Sequence, residues 1–301
     1  MHHLFIVNPV AGKGRSLKIL KLIEEIFENK KNETYEFIFT KYHGHARIIS
    51  KENLVKNKLK IYSIGGDGTA SEIINGIMDS SLDNLLGFGV IPCGSGNDFV
   101  RTVYKDNNYK NFKVFLEDLI NGHIEIIDIG VLNESYFLNI ASMGFDADVV
   151  YNGKKMKKHK LFPSGLIYLF GVIYTIKNLK TYSCEIIIDD NEKIKGDYLL
   201  IASGNGRYYG GGMKVLPYAD YRDGILDICL ISPVKRKKML RLLFTFMKGK
   251  HENIKEVELR KCKKISIKSS TNISIQVDGE VMKAKEMKLK IADKKIPLIT
   301  P

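Results

Sequence analysis

The chain is poor in cysteine, and its charge runs short of acid. The four cysteines (Cys93, Cys184, Cys229, Cys262) stand singly in apolar or strand-like contexts, without C-x-x-C spacing. That pattern argues against a zinc ribbon or a disulfide frame, and for buried free thiols in a reducing compartment. Long apolar runs are missing too. The longest uncharged stretch, Leu161–Ile176, is broken by Pro163, Ser164, Gly165 and Gly171. It falls short of the ~20 residues that span a bilayer. The N-terminal MHHLFIVNPVAGKG enters a strand-like run directly and lacks a signal-peptide design. The expectation is a cytoplasmic protein, peripherally membrane-associated, that touches membranes without crossing them. None of the seven histidines makes metal-ligand spacing with a partner, so His2, His3 and His45 read as surface or turn residues. No internal repeat and no low-complexity linker is present.

Acids number 34 against 47 lysines and arginines, a net charge of +13. Such a balance suggests a polyanionic partner: a nucleotide, a nucleic acid or an anionic membrane surface. A lysine-rich genome gives the same balance with no partner at all. No RNP-like aromatic pattern or helix-turn-helix signature accompanies the charge, so no nucleic acid is expected. Hydrophobic content of 44% over 301 residues allows two domains with separate cores.

The first 124 residues alternate strand and helix. HLFIVNP, YEFIFT, KIYSI and LLGFGVIP read as strands. SLKILKLIEEIFENK reads as an amphipathic helix, with Leu17, Leu20, Ile23 and Phe27 at helical spacing. That order predicts a parallel sheet with helices on both faces and a ligand at the carboxyl ends of the strands. From about residue 125 to 291 short period-two runs joined by tight turns predict a mostly antiparallel β domain. Helical insertions fall near 153–179 and 235–249, and residues 292–301 have the option of packing back onto the first domain.

Three glycine-bearing turns fall at strand ends of the first domain. They are Asn8-Pro9-Val10-Ala11-Gly12-Lys13-Gly14, Gly65-Gly66-Asp67-Gly68-Thr69 and Pro92-Cys93-Gly94-Ser95-Gly96-Asn97-Asp98. Glycine allows φ > 0 and close backbone approach, and helix-opening N–H groups hold phosphate. Asp67 adds a carboxylate that suits Mg²⁺ beside such a phosphate. Neither G-x-x-x-x-G-K-[ST] nor G-x-G-x-x-G occurs, which disfavours a P-loop ATPase and a nicotinamide dehydrogenase. In the second domain, NISIQVDGE ends a strand with Asp278 and Glu280 two residues apart and so on one side. A plain hairpin tip has the same sequence.

Asn8-Pro9 with Gly12-Lys13-Gly14, Thr40 with Gly44-His45-Ala46, Gly65–Thr69, Gly94–Asp98 with Arg101, and Asp278-Gly279-Glu280 together resemble the diacylglycerol kinase catalytic family, in particular its soluble bacterial lipid kinases. The resemblance spans almost the whole chain. It implies a Rossmann-like N-terminal domain, a C-terminal antiparallel β-sandwich, and a nucleotide site in the cleft between them. By the same likeness Asn8, Pro9, Gly12, Lys13, Thr40, Gly65, Gly66, Asp67, Gly68, Thr69, Gly94, Ser95, Asn97 and Asp98 bind ATP. Ser95 stands where the family more often has threonine, and keeps the hydroxyl. Glu280 would be the general base, with Asp67 and Asp278 positioning metal-bound ATP. A structural Mg²⁺ would sit on Asp223 with backbone oxygens of Asp220 and Ile225; an ordinary turn is the alternative there.

The implied activity is transfer of the γ-phosphoryl of ATP, with Mg²⁺, to a membrane lipid, diacylglycerol giving phosphatidic acid. Another lipid alcohol (a sphingoid base, ceramide or monoacylglycerol) or NAD in a soluble NAD-kinase-like enzyme is the alternative acceptor. A catalytically dead nucleotide-binding scaffold is a third reading, against which the retention of Asp67 and Glu280 argues.

Two stretches bear on membranes. KRKKMLRLLFTFMKGK (Lys235–Lys250) places Met239, Leu242, Leu243, Phe246 and Met247 on one helical face, amid basic residues. A helix of that design lies on an anionic bilayer, or packs onto its own domain. The second stretch is KKMKKHK (Lys154–Lys160) before the apolar run from Leu161. Edge strands of the second domain also leave a homodimer open.

Overall fold

A computed structural model describes residues 1–104, 111–158 and 167–301 of the chain. They form two compact units. Unit one holds Met1–Ile129, Ser135–Leu138 and Ala292–Pro301; unit two holds Gly130–Glu134 and Asn139–Ile291.

Unit one alternates strand and helix: β1 (His2–Val7), α1 (Arg15–Glu28), β2 (Thr34–Phe39), α2 (His45–Lys56), β3 (Leu59–Gly65), α3 (Asp67–Met78), β4 (Leu85–Pro92), α4 (Asp98–Val103), α5 (Phe112–Ile120) and β5 (His123–Ile127). Strands β1, β3 and β4 are near-continuous apolar runs because helices cover both faces of a parallel sheet. Leu4, Phe5, Ile6, Val7, Ile61 and Ile64 are fully buried accordingly. The α1 stripe differs from its sequence reading. Ile19, Ile23, Ile26 and Phe27 face inward, whereas Leu17 is 47% exposed. An irregular turn, Ala11–Gly14, with Gly12 and Lys13 left-handed, precedes the helix.

The chain then forms β6 (Gly130–Leu132), β7 (Ser135–Phe137), β8 (Ile140–Gly144), α6 (Phe145–Lys158) and α7 (Ile167–Lys177). Strands β9 (Tyr182–Ile188), β10 (Glu192–Tyr198), β11 (Leu200–Gly204), β12 (Tyr208–Tyr209), β13 (Met213–Lys214) and β14 (Leu226–Ile231) follow. After α8 (Arg236–Met247) come β15 (Val257–Cys262), β16 (Lys264–Val277) and β17 (Glu280–Ile291). The chain ends in β18 (Ile296–Thr300).

Strand β18 belongs to unit one. The sheet order there is β2-β1-β3-β4-β18-β5, parallel except for the β18–β5 pair. Lys295, 2.8 Å from the buried carboxylate of Asp128, fixes the returning segment. In unit two the order β15-β14-β11-β8-β16-β17-β6 is antiparallel throughout. Strand β16 pairs with β9 through Ile265–Ser269 and with β8 through Ile275–Val277. Its register shifts between Lys268 and Ile273, so one strand serves two parts of the sheet, as at a sandwich corner.

The helical insertion read near 153–179 is two helices, and α6 begins at Phe145, directly from β8. The last residues of KKMKKHK and the start of the apolar run from Leu161 fall at 159–166, outside the described residues. No described helix is long and apolar enough to cross a membrane. All four cysteines are buried and free, and burial pushes Cys93 up to about 11 and Cys262 up to about 12. His3 corrects the sequence reading: it is fully buried, stacked on Tyr62, with Nε2 2.9 Å from Glu33. Burial lowers its pKa to about 4, so the ring is neutral.

Candidate active site

The three glycine turns of unit one follow β1, β3 and β4, which run parallel, so their carboxyl ends lie at one edge. The turns touch one another through backbone. A Cβ on Gly12 would meet the Cys93 carbonyl oxygen at 2.3 Å, and one on Gly94 the Gly66 Cα at 2.6 Å. Gly12 also has φ +57 and Gly14 φ +85, values that glycine adopts without penalty. Helices α1 and α3 start at Gly14 and Gly66 with no side-chain cap, so their first-turn N–H groups have no capping side-chain acceptor.

Side chains then lock the turns. Asn8 Nδ2 donates to Thr69 Oγ1 at 3.1 Å, and the Asn8 amide donates to the Ile64 carbonyl at 2.9 Å. Phe99 N–H donates to Asp67 Oδ1 at 3.3 Å, tying the third turn to the second. Asn97 Nδ2 donates to the Gly94 carbonyl at 3.0 Å, and Arg101 Nε to the Gly96 carbonyl at 3.3 Å. Thr40 N–H bonds the Val7 carbonyl at 2.8 Å, which places Thr40 beside the end of β1. Pro9 and Gly65 complete the strand ends, while Lys13, Gly68 and Ser95 are exposed.

Asp67 and the buried Asp98 flank Gly96. A Cβ there would lie 2.9 Å from Asp67 Oδ2 and 3.2 Å from Asp98 Oδ2. Two carboxylates around a space without a side chain form a hard-oxygen donor set of the kind Mg²⁺ takes together with phosphate oxygens.

Unit two carries the other candidate carboxylates. Asp278 and Gly279 hold left-handed φ values of 43° and 90° between β16 and β17, which leaves Glu280 exposed as the first residue of β17. Asn139 braces this turn, its N–H donating to Asp278 Oδ1 at 3.3 Å. The Asn139 carbonyl accepts from Asn205 and Gly206, and its Nδ2 donates to the Tyr208 carbonyl at 2.6 Å. One residue thereby ties the Asp278 turn to the glycine-aromatic loop 204–212. Lys13, Asn97 and Asp278 are non-glycine residues in the left-handed region, a conformation that costs about 1–3 kcal/mol and concentrates at functional sites.

A second brace comes from within the core. The Gln276 amide nitrogen faces Asp146 Oδ2 at 2.9 Å and Ser142 Oγ at 3.0 Å, and its oxygen accepts from Gly279 N–H at 3.1 Å. The Ser142 hydroxyl also donates to Asp146. Burial pushes the Asp146 carboxyl up to about 6, against the hydrogen bond from Ser142. Stability from this group is therefore full below the ordinary aspartate value and lost as pH rises through about 6. Between pH 4 and 7 the wild type is expected to lose about 2 kcal/mol relative to Asp146→Asn in urea unfolding. Parallel pH curves for the two proteins would refute the assignment.

Asp146 also lines an apolar cavity of about 220 Å³ in unit two. Its walls include Phe145 and Val149 of α6, Val172 of α7, and Met239, Leu243 and Phe246 of α8. Gly210, Gly211 and Gly212, with φ values of 63°, 85° and 113°, form part of the rim. The sequence reading missed this cavity, Asn139 and Asp146, because Asn139 and Asp146 are tied to Asp278, Tyr208 and Gln276, tens of residues away, and share no motif with them.

At the acidic turn, Asp223 Oδ1 accepts from Ile225 N–H at 3.1 Å and Oδ2 from Lys261 Nζ at 3.0 Å. Asp220 Oδ1 accepts from Arg222 N–H at 3.1 Å and from its Nε at 3.2 Å. The lysine ammonium thus neutralises the charge that a divalent ion would. No cluster of three or more His, Cys, Asp or Glu suited to a metal occurs among the described residues.

Residues 2–132 match the family model described as the diacylglycerol kinase catalytic domain. Residues 139–300 match the YegS C-terminal NAD kinase beta sandwich-like domain. The chain belongs to the diacylglycerol kinase catalytic family, and it is a lipid kinase built from an α/β nucleotide-binding-type unit and an antiparallel β unit. Among curated relatives, "Diacylglycerol kinase" of Mycobacterium tuberculosis is 28% identical over 281 residues, covering 91% of this chain and 87% of that protein. "Putative lipid kinase YtlR" of Bacillus subtilis is 30% identical over 302 residues, covering 93% and 94%. A crystal structure described as a "putative diacylglycerol kinase" from Bacillus anthracis superposes with a TM-score of 0.78 at 25% identity, covering 99% of this chain and 94% of that one.

Proposed function

We propose that this lipid kinase transfers the γ-phosphoryl of ATP to the hydroxyl of diacylglycerol, giving phosphatidic acid and ADP. The observation that carries the lipid reading is the apolar cavity of unit two, which Asp146 joins through Gln276 to the Asp278–Glu280 turn. Acyl chains fit such walls, whereas the polar faces of NAD would be left without partners there.

The glycine turns take the phosphates. Backbone N–H groups at Gly12, Gly66 and Gly68 and the hydroxyls of Thr40, Thr69 and Ser95 supply donors, with Lys13 adding a cation. Asn8 acts by holding Thr69. Asp67 and Asp98 would hold Mg²⁺, which spreads the charge of the transferring phosphoryl. Glu280 takes the proton from the lipid hydroxyl as its oxygen attacks the γ-phosphorus, and the bond to the ADP oxygen breaks. Asp278 orients the turn through Asn139. A Mg²⁺ at the acidic turn, on Asp223 with carbonyls of Asp220 and Ile225, would displace the ammonium of Lys261. The enzyme works peripherally on the cytoplasmic face of a membrane.

The test is transfer of labelled γ-phosphate, with and without Mg²⁺, to diacylglycerol, monoacylglycerol, ceramide and a sphingoid base in mixed micelles. NAD without lipid serves as a parallel acceptor. Transfer to diacylglycerol above the others supports the proposal. Preference for another lipid alcohol overturns the substrate, and phosphorylation of NAD alone overturns the lipid reading.

A further inference from the structure

Helix α8 presents two apolar rows, and only one of them is used by the fold. Met239, Leu242 and Phe246 face inward and are 4%, 1% and 6% exposed. They pack in a core with Val215, Leu216, Ile231 and Val257. The stripe that the sequence offered to a bilayer is therefore largely committed to unit two itself.

On the opposite side Leu240, Phe244 and Met247 are 55%, 66% and 62% exposed. Their spacing of i, i+4, i+7 puts them in one row along the helix. Single exposed apolar residues are ordinary, but a contiguous row of three large ones marks an interaction surface. The residues that share this outer face are Arg236, Lys237, Arg241 and Lys248, all exposed. No acid occurs anywhere in Lys235–Lys250. The cation nearest the core side, Lys238, is engaged with an acid, Glu256.

We propose that this outer face of α8 docks unit two on an anionic lipid bilayer, with Leu240, Phe244 and Met247 inserted among acyl chains and the four cations at phosphate level. Three features select a bilayer over a protein partner or a second copy. A face that is cationic throughout repels its own copy. Flexible basic side chains around an apolar row match an interface whose anions are mobile and whose interior is hydrocarbon. The row is also continuous with the apolar cavity, because Met247 is exposed and lines that cavity together with Leu243. A lipid surface on α8 would meet the cavity rim directly. This last point rests on the lipid-kinase reading; the docking itself does not.

The experiment uses the full chain with vesicles of phosphatidylcholine alone and of phosphatidylcholine mixed with phosphatidylglycerol. Sedimentation measures binding, and phosphate transfer to a short-chain, water-dispersed diacylglycerol is measured in parallel. Wild type is expected to bind the anionic vesicles, less so at high salt. Leu240→Ser/Phe244→Ser and Lys237→Glu/Arg241→Glu are each expected to weaken binding about tenfold or more. Neither pair lines the cavity, so transfer to the dispersed substrate stays within about twofold of wild type. Binding by both variants equal to wild type, or equal binding to neutral vesicles, overturns the docking face. A change of oligomeric state in the serine variant, without loss of vesicle binding, overturns it in favour of a second copy. Absence of transfer to any lipid, with vesicle binding intact, overturns the substrate reading and leaves the docking face standing.

Discussion

Glu280→Gln is expected to lower turnover on diacylglycerol about 10²–10⁴-fold while leaving the affinity for ATP near wild type. Glutamine keeps the shape and hydrogen-bonding reach of the side chain but cannot accept the hydroxyl proton at neutral pH. The loss falls on kcat, because proton removal happens as the oxygen attacks and not as substrate binds. The turn geometry explains why a side chain in solvent can act with such an effect. Asp278 and Gly279 hold left-handed conformations fixed by Asn139 and by Gln276, so the start of β17 is set before substrate arrives. Asn139→Ala therefore serves as a companion variant, expected to lower turnover without removing the base. Steady-state kinetics in mixed micelles give the test. A Glu280→Gln enzyme within tenfold of wild type would remove Glu280 from the chemistry.

Much of unit one was legible because β1, β3 and β4 bury both faces, so that FIV, KIYSI and LLGFGVIP are near-continuous apolar runs before glycine turns. The convergence of those turns followed from the parallel order, and contacts such as Gly66–Gly94 give it physical form. Other features left no local mark. The period of IEII put it in the antiparallel domain, whereas pairing with β18 places β5 in unit one. Leu17 satisfied the helical spacing of α1, but a second row at helical spacing, Ile19, Ile23 and Ile26, takes the buried face. Gln276 meets the local pair Ser142 and Asp146 only because β8 and β16 pair, with Ser142 opposite Gln276. In α8 the period announced an apolar face, and could not announce that two rows exist with different partners.

The second large effect is expected at a residue with no reactive atom. Gly94→Ala should lower kcat/KM for ATP about 10²-fold or more and lower the melting temperature, although only a methyl group is added. That methyl would sit 2.6 Å from the Gly66 Cα and 3.1 Å from Asn97 Oδ1. The first neighbour is backbone, so no rotamer change relieves the contact, and the two glycine turns, proposed above to hold phosphate, must separate by about an ångström. Overpacking of this kind costs about 1–3 kcal/mol in stability. A displacement of about 1 Å in groups that position a reacting phosphate costs about 10²-fold in rate. The same motif set supplies the comparison. A Cβ on Gly68 meets nothing within 4 Å, and Gly68 lies in the first turn of α3. Gly68→Ala is accordingly expected to keep or raise the melting temperature, since alanine is the better helix former. Any loss of activity in Gly68→Ala then reports the approach of nucleotide rather than damage to the fold. Thermal melts of the two variants beside ATP titrations separate these causes. Equal melting temperatures and equal kcat/KM for Gly94→Ala and wild type would mean that the second and third turns do not act as one phosphate cradle.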